Sequence, residues 1–259
     1  MLPSDAQPVI ITGASSGIGA ALARHYAARG AILGLIARRE RALQALAAGL
    51  GGECETFAVD VRDRGRVATA AREFLSRQGC PDIVFANAGI SRGTLTECAH
   101  DLPAFQKVMD TNLVGLVTTF QPFIGPMRHA GKGGSASPAL PATAGYAAAY
   151  SASKAAAISY LESLRVEFRA SGIKVITICP GYIATPMTEE NPYPMPFLMS
   201  ADAAARCLAA VVAHNQSYAV IPWQMALIAR LMRVLPNWLF DRLLSHAPRK
   251  PRSGKSVEP

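Results

Sequence analysis

The sequence has no run of 18 uncharged apolar residues, and its amino-terminal segment has no basic stretch followed by a long apolar one. Neither a membrane-spanning helix nor a secretion signal is therefore expected. Cysteine is scarce: five residues, an odd number, are widely spaced and lack the paired spacing of a metal site or a disulfide framework. We expect reduced thiols, no bound metal and a cytoplasmic protein.

Charge is also sparse, since charged residues make up 17% of the chain, whereas 50% of its 259 residues are hydrophobic. A disordered chain is excluded by this composition, and the length suits one large domain or two small ones. The net charge is +8, but the basic residues are scattered except near the carboxyl terminus, and no basic stripe interleaved with aromatics occurs. We expect no nucleic-acid partner.

Short apolar runs alternate with alanine-rich amphipathic stretches from Pro8 to about Tyr218. This alternation predicts repeated βαβ units, and hence a Rossmann-like α/β fold with a doubly wound parallel sheet in a single domain. The strands are expected near 8–12, 31–37, 54–59, 83–86, 174–179 and 217–221. The helices are expected near 18–29, 40–49, 64–77, 102–128, 149–170 and 201–214.

The character of the chain changes after Ile221. Residues 222–245 are apolar and weakly amphipathic and predict a C-terminal helical extension of the same domain, whereas residues 246–259 read as a basic disordered tail. The extension carries apolar residues such as Trp223 and Trp238 beside arginines such as Arg230. It is compatible with core or subunit packing, with a cover over a substrate pocket, or with peripheral contact at a membrane interface.

A glycine-rich segment, Thr12 to Gly19, joins the first predicted strand to the first predicted helix. Gly13 permits a tight turn, Gly17 allows close approach of a pyrophosphate, and Gly19 allows the helix to pack closely on the strand. A tight turn without a ligand is the alternative. The spacing TGxxxGxG resembles the signature of the short-chain dehydrogenase/reductase family, and further family motifs follow in register.

The second predicted strand ends at Ala37 and is followed by Arg38 and Arg39. NAD enzymes usually have an acid at this position to bind the ribose hydroxyls, whereas a 2′-phosphate requires positive charge. The resemblance therefore implies NADP, with NAD less favoured, Arg38 as the main phosphate partner, and Ser15 or Arg39 assisting. The alternative is a solvated charge pair at the start of a helix.

Tyr150 and Lys154 are four residues apart in the segment AYSASKAA, so on a helix they share one face. An unperturbed phenol has a pKa of about 10, and a neighbouring ammonium favours the phenolate. Tyr150 would then exchange a proton with the substrate oxygen. The family resemblance implies that Lys154 also binds the nicotinamide ribose, that Ser137 polarises the carbonyl, and that Asn112 in DTNLVG anchors a proton-relay water.

The resemblance, which covers roughly residues 8 to 221, implies a dinucleotide-binding catalytic domain over residues 1–221. Other cofactor contacts are implied for the adenine pair Asp60 and Val61, for the NAG element, and for the PGxxxT element. With the glycine loop, these candidates are Gly13, Ser15, Ser16, Gly17, Ile18, Gly19, Asp60, Val61, Asn87, Ala88, Gly89, Pro180, Gly181, Ile183 and Thr185. Asn87 in the family usually holds strand geometry.

The segment before Tyr150 departs from the family pattern. A β-branched strand should carry the serine, but GKGGSASPALPATAGYAAAY lacks one, and Pro138 and Pro141 stand where free N–H groups belong. One hypothesis is that residues 134–146 are a frame-shifted reading: codons permitted by Ser135 to Tyr146, shifted by one base, encode LGIASVAGYRGL, whose serine would span the codons of Pro138 and Ala139. The alternative is a real but divergent loop.

Together these features imply an NADP-dependent oxidoreductase that interconverts a carbonyl and a secondary alcohol with a Ser-Tyr-Lys site. The apolar, methionine-bearing loop at 186–200 suggests a lipophilic small-molecule substrate, with core packing as the alternative role of that loop. The family also implies a homodimer or homotetramer. The rival interpretation is a non-catalytic nucleotide-binding scaffold with a disrupted serine strand.

Overall fold

The computed structural model describes residues 6–131, 134–138, 148–189, 191 and 194–245. Nine strands occur in these ranges: β1 (Pro8–Thr12), β2 (Ile32–Ala37), β3 (Cys54–Ala58), β4 (Ile83–Phe85), β5 (Gly134–Pro138), β6 (Lys174–Pro180), β7 (Ile183–Ala184), β8 (Met199–Ser200) and β9 (Tyr218–Ile221). Ten α-helices accompany them in the same ranges: α1 (Gly17–Ala27), α2 (Glu40–Ala48), α3 (Arg64–Gln78), α4 (Leu102–Met109), α5 (Gly115–Ala130), α6 (Ala148–Glu167), α7 (Pro186–Glu189), α8 (Ala201–Ala213), α9 (Trp223–Val234) and α10 (Asn237–Leu244).

The central sheet is parallel, with strand order β3-β2-β1-β4-β5-β6-β9. The chain leaves β1 towards β2 on one side and returns after β3 to place β4 on the other side of β1. The order therefore reverses between β1 and β4. In doubly wound folds this reversal opens a crevice at the carboxyl ends of the strands, where ligands bind.

Alternating side chains of the strands supply the two halves of the core. In β1, Val9 and Ile11 face the cluster that contains Leu22 of α1 and Leu208 of α8, whereas Ile10 faces the cluster around α3, α5 and α6. Both clusters are almost fully buried, as a parallel sheet covered on both faces requires. Rossmann-like architecture in a single α/β domain is thus confirmed.

The strand β5 corrects the sequence-based expectation that no strand precedes Tyr150. Its backbone pairs with β4 on one side and β6 on the other, and Ser137 lies opposite Thr177. The sequence GSASP has weak strand propensity, but position between two buried strands outweighs propensity. Pro138 is the last residue of the strand and has a register partner only in β6, since the pairing with β4 ends at Ala136. Most of the segment in which a frame shift was suspected, residues 139–146, lies outside the described residues.

The prediction of one continuous helix over residues 102–128 was also wrong in detail. A π-helical turn at Asp110–Val114 separates α4 from α5 and contains Asn112. Such insertions are rare and frequently occur at functional sites. The loop expected over 186–200 contains the short helix α7 and the strand β8, which pairs with β7.

The C-terminal extension is helical, as predicted, but it forms two helices. Pro236, the residue before α10, separates α9 from α10, because proline cannot continue the hydrogen bonding of a preceding helix. Among the described residues no helix has the length and apolar character needed to cross a membrane.

Candidate active site

The glycine loop joins β1 to α1 at the crevice. Gly13 and Gly17 have φ angles of 67° and 55°, which favour glycine. A Cβ at Gly13 would lie 2.8 Å from the Cα of Ala88, and one at Gly19 would collide with the carbonyl oxygen of Gly13. Among the described residues, the N-cap Ser16 makes no side-chain hydrogen bond to the first turn of α1. The N-terminus of this helix can therefore receive a phosphate.

The end of β4 is fastened to the same loop. The Thr12 hydroxyl donates to the Phe85 carbonyl at 3.3 Å and accepts from the Ala88 N–H at 3.2 Å. The Asn87 side-chain amide donates to the Thr12 carbonyl at 3.0 Å. Asn87 thus holds the two strands at the switch point in register.

Arg39 crosses the open end of the loop. Its guanidinium donates to the Ser16 hydroxyl at 2.7 Å and to the Ser15 hydroxyl at 3.1 Å. Both hydroxyls can still donate to an anion, because each uses only an oxygen lone pair here. The arrangement forms a small polar cluster of one cation and two hydroxyls at the end of β2.

Arg38 points instead towards the end of β3. Its guanidinium lies 3.9 Å from the Asp60 carboxylate, which Arg62 holds more closely at 2.7 Å. The hydrogen bond from Arg62 is the main cause that lowers the pKa of Asp60, with Arg38 adding a smaller effect. The Asp60 carboxylate is therefore ionised and already paired, and Arg38 is half-exposed beside it.

Tyr150 and Lys154 lie on the first turns of α6, at the other end of the crevice. The Lys154 Nζ lies 5.7 Å from the centre of the Tyr150 ring. Lys154 is 9% exposed, and its burial lowers the pKa to about 8, with Cys179 acting weakly in the opposite direction. A lysine with this pKa is still mostly cationic at neutral pH, so its charge acts on the phenol in a largely water-excluded place.

Asn112 is buried behind Lys154. Its amide oxygen accepts from the Ile90 N–H at 2.8 Å, and its amide nitrogen donates to the Ile90 carbonyl at 2.9 Å and to the Ser153 hydroxyl at 3.0 Å. A Cβ at Gly89 would lie 3.3 Å from the Asn112 oxygen and 3.7 Å from the Lys154 Nζ. The π-helical turn thus connects the NAG element to α6.

A single cleft of about 260 Å³ joins the glycine loop and the Arg38–Arg39 pair to Tyr150 and Lys154. It is lined by Gly13, Ser15, Ser16, Gly17, Ile18, Ala37, Arg38, Arg39, Val59, Asp60, Val61, Asn87, Ala88, Gly89, Ile90, Thr111, Tyr150, Lys154, Pro180, Thr185, Pro186 and Met187. Four predicted residues are not among these lining residues: Gly19, Asn112, Gly181 and Ile183. The side chain of Ser137 lies outside the described part of the chain.

Some lining residues were missed by the sequence prediction. Ala37 and Val59 directly precede Arg38 and Asp60 at strand ends, and Thr111 directly precedes Asn112, so their location could have been inferred from these neighbours. Met187 follows the PGxxxT element and brings an apolar side chain to the cleft.

Comparison with known proteins agrees with this geometry. The short chain dehydrogenase family matches residues 7–194, which contain the glycine loop, Tyr150 and Lys154. The chain belongs to the short-chain dehydrogenase/reductase family. It is 35% identical to an uncharacterized oxidoreductase of Myxococcus xanthus, over 90% of this chain and 94% of that protein. It is also 35% identical to an uncharacterized oxidoreductase of Mycobacterium tuberculosis, over 91% and 96%.

Among solved structures, the chain resembles a short-chain type dehydrogenase/reductase from Mycobacterium marinum, with a TM-score of 0.76 and 27% identity. The match covers 85% of this chain and 94% of that one. The matched family is that of the short chain dehydrogenases, and both relatives are named as oxidoreductases. The cleft has the cradle and the helix N-terminus that a dinucleotide requires.

Proposed function

We propose that this family member is an NADP(H)-dependent oxidoreductase that interconverts a carbonyl and a secondary alcohol. The observation that carries the proposal is one cleft with Tyr150 and Lys154 at one end and the Arg38–Arg39 pair at the other. A bound nicotinamide would supply or accept the hydride. The chain itself then has to orient the two reactants and move one proton.

Tyr150 is the proposed acid and base. In reduction its hydroxyl donates a proton to the carbonyl oxygen as the alkoxide forms, and in oxidation the phenolate accepts that proton. The ammonium of Lys154, 5.7 Å from the ring centre, favours the phenolate and holds the nicotinamide ribose. Because Lys154 is buried, its charge acts more strongly than it would in water.

Ser137 and Asn112 complete the proposed site. The backbone of Ser137 lies in β5 opposite Thr177 of β6, near the carboxyl end of the sheet, and we assign its hydroxyl to the carbonyl oxygen of the substrate. Asn112 is proposed as a positioning residue that supports the proton relay. Its three hydrogen bonds to Ile90 and Ser153 fix the wall behind Lys154.

The preference for NADP rests on the charge at the end of β2. A 2′-phosphate would be held between the Arg38 and Arg39 guanidinium groups, with the Ser15 hydroxyl donating to it. Arg39 is already oriented by Ser15 and Ser16, which lowers the entropy lost on binding. An NAD enzyme would have a carboxylate at this strand end, and this chain has two cations there.

The cofactor assignment is tested by titrating NADPH and NADH against the chain and against Arg38→Ala and Arg39→Ala. Each variant should weaken NADPH binding by about tenfold to a hundredfold, because a charge-assisted contact is lost, and should leave NADH binding unchanged. Arg41→Ala is a matched control, since Arg41 is exposed on α2 and is not among the lining residues. Equal losses for both cofactors would contradict the assignment.

Turnover separates the enzyme from the rival interpretation, a non-catalytic nucleotide-binding scaffold. Both should bind NADPH, but only an enzyme should oxidise it in the presence of apolar ketones and aldehydes. We propose such lipophilic substrates because Met187 lines the cleft and the same segment, residues 186–200, carries the half-exposed apolar residues Phe197 and Leu198. We also propose that the protein is cytoplasmic and that it forms a homodimer or homotetramer. Light scattering after size exclusion would test the number of subunits.

A further inference from the structure

The last two helices, α9 and α10, carry apolar side chains that no other part of the described chain covers. The α9–α10 face consists of Trp223, Leu227, Leu231, Val234, Trp238 and Leu243, all of them exposed. On α9 its members are spaced by four, four and three residues, which places them on one side of the helix. Val234 is 77% exposed and Trp238 is 68% exposed. Exposed apolar residues that share one side of a helix, as these do on α9, mark a site of interaction.

The opposite side of α9 is attached to the body of the protein. Met225 is buried, and its side chain would lie 2.8 Å from a Cβ at Gly181, the residue after β6. The helix begins directly after β9, whose end pairs with the end of β6 at the carboxyl edge of the sheet. The start of α9 therefore lies at the same edge of the sheet as the cleft.

Charge in this region is concentrated and positive. Residues 222–259 contain seven basic residues and two acidic ones, a net charge of +5 out of the chain's +8. Arg230 and Arg242 are exposed on the two helices themselves, and four more basic residues follow in the tail. Exposed aromatic and aliphatic side chains combined with arginines are typical of helices that lie in a membrane interface.

We propose that the α9–α10 face docks on an anionic lipid surface. Its apolar side chains would enter the boundary between headgroups and acyl chains, while Arg230 and Arg242 would meet the anionic headgroups. A second copy of the chain is a poorer partner, because a two-fold contact would bring together two surfaces that each carry the exposed Arg230 and Arg242. The proposal concerns a surface outside the cleft and does not depend on the proposed activity.

The chain contains an intrinsic reporter for this proposal. Its two tryptophans, Trp223 and Trp238, both lie in the α9–α10 face, so all tryptophan fluorescence comes from this surface. Vesicles of phosphatidylglycerol and phosphatidylcholine should move the emission to shorter wavelength, and vesicles of phosphatidylcholine alone should not. Raising the salt concentration should weaken the effect, since exposed charges are screened. Trp223→Phe and Trp238→Phe report on each helix separately.

Variants and controls make the test specific. Leu231→Gln should weaken binding to the anionic vesicles by at least about tenfold, because apolar contact is lost. Arg230→Gln should weaken it by about fivefold, the loss expected for one basic residue at an anionic surface. Val166→Gln and Arg165→Gln change exposed residues near the end of α6, at the opposite edge of the sheet, and should leave binding within about twofold of the wild type.

Two results would overturn the proposal. One is an emission unchanged by anionic vesicles, or moved equally by both compositions. The other is an emission shift that follows protein concentration without lipid, accompanies a rise in the number of subunits in sedimentation, and is abolished by Leu231→Gln, which would assign the face to a second copy. Cofactor titration in the same samples shows that each variant is folded, and its result is independent of the lipid result.

Discussion

In the absence of cofactor, burial of the charged Lys154 side chain lowers the free energy of unfolding. Burial lowers its pKa from 10.5 to about 8, which means that the folded protein disfavours the charged form. This fall corresponds to about 3 kcal/mol, since one pKa unit is worth about 1.4 kcal/mol. Replacing Lys154 with Met retains most of the side-chain volume and removes the buried charge. We therefore expect the free energy of unfolding at pH 7 to be about 3 kcal/mol larger for Lys154→Met than for the wild type, so that the variant is more stable.

The pH dependence of this stability difference shows whether the buried charge of Lys154 is its cause. Between pH 8 and pH 10.5 the unfolded chain keeps a proton on this lysine and the folded chain releases it, so the stability contributed by this group rises with pH in that window. Below pH 8 the stability of the wild-type chain is reduced by the full free energy of burying the charged lysine, and above pH 10.5 it is not reduced at all. The advantage of Lys154→Met should therefore fall to about half by pH 9.5.

Urea unfolding at pH 7 and pH 9.5, without cofactor, measures the effect. Lys107→Met is the matched control, because Lys107 is exposed on α4, and it should change stability by less than about 0.5 kcal/mol at both pH values. A Lys154→Met protein that is less stable than the wild type, or whose advantage is the same at both pH values, would refute the reasoning.

Three further predictions follow from other parts of the fold. Asn112→Ala leaves the partly buried N–H and carbonyl of Ile90 without their partner, so the free energy of unfolding in urea should fall by about 2 kcal/mol; a loss below about 1 kcal/mol would show that this link is dispensable. Asp63→Ala removes the N-cap that accepts from the Arg66 N–H of α3, so stability should fall by about 1 kcal/mol with NADPH affinity unchanged; a change in affinity would contradict the purely structural role. Resequencing the gene across codons 134–146 should find a one-base shift if the frame-shift hypothesis is correct, and an intact frame would reject it.

Much of the fold could be predicted from the sequence because its signals are local. Apolar runs such as Val9 to Ile11, each followed by an amphipathic helix, give the alternating βαβ order directly. The glycine loop and the spacing of Tyr150 and Lys154 gave both ends of the cleft, because each motif depends on backbone positions a few residues apart.

The structural features that the sequence did not predict are determined by contacts with residues far away in the chain. The residues of β5 have little strand propensity, and they form a strand because β4 and β6 present backbone partners on both sides. The π-helical turn at Asn112 gives no local signal, since its sequence is compatible with a continuous helix. The orientations of Arg38 towards Asp60 and of Arg39 towards Ser16 are set by contacts across separate strand ends.

The central claim is that Tyr150 moves the proton in a reaction that consumes NADPH. The most direct test measures NADPH oxidation with an apolar ketone, together with NADPH affinity, for the wild type, Tyr150→Phe and the control Tyr160→Phe on the same helix. The account predicts that Tyr150→Phe loses turnover by about a hundredfold to ten-thousandfold, while its NADPH affinity and the activity of Tyr160→Phe stay within about twofold of the wild type. A Tyr150→Phe chain that oxidises NADPH as fast as the wild type would contradict the claim.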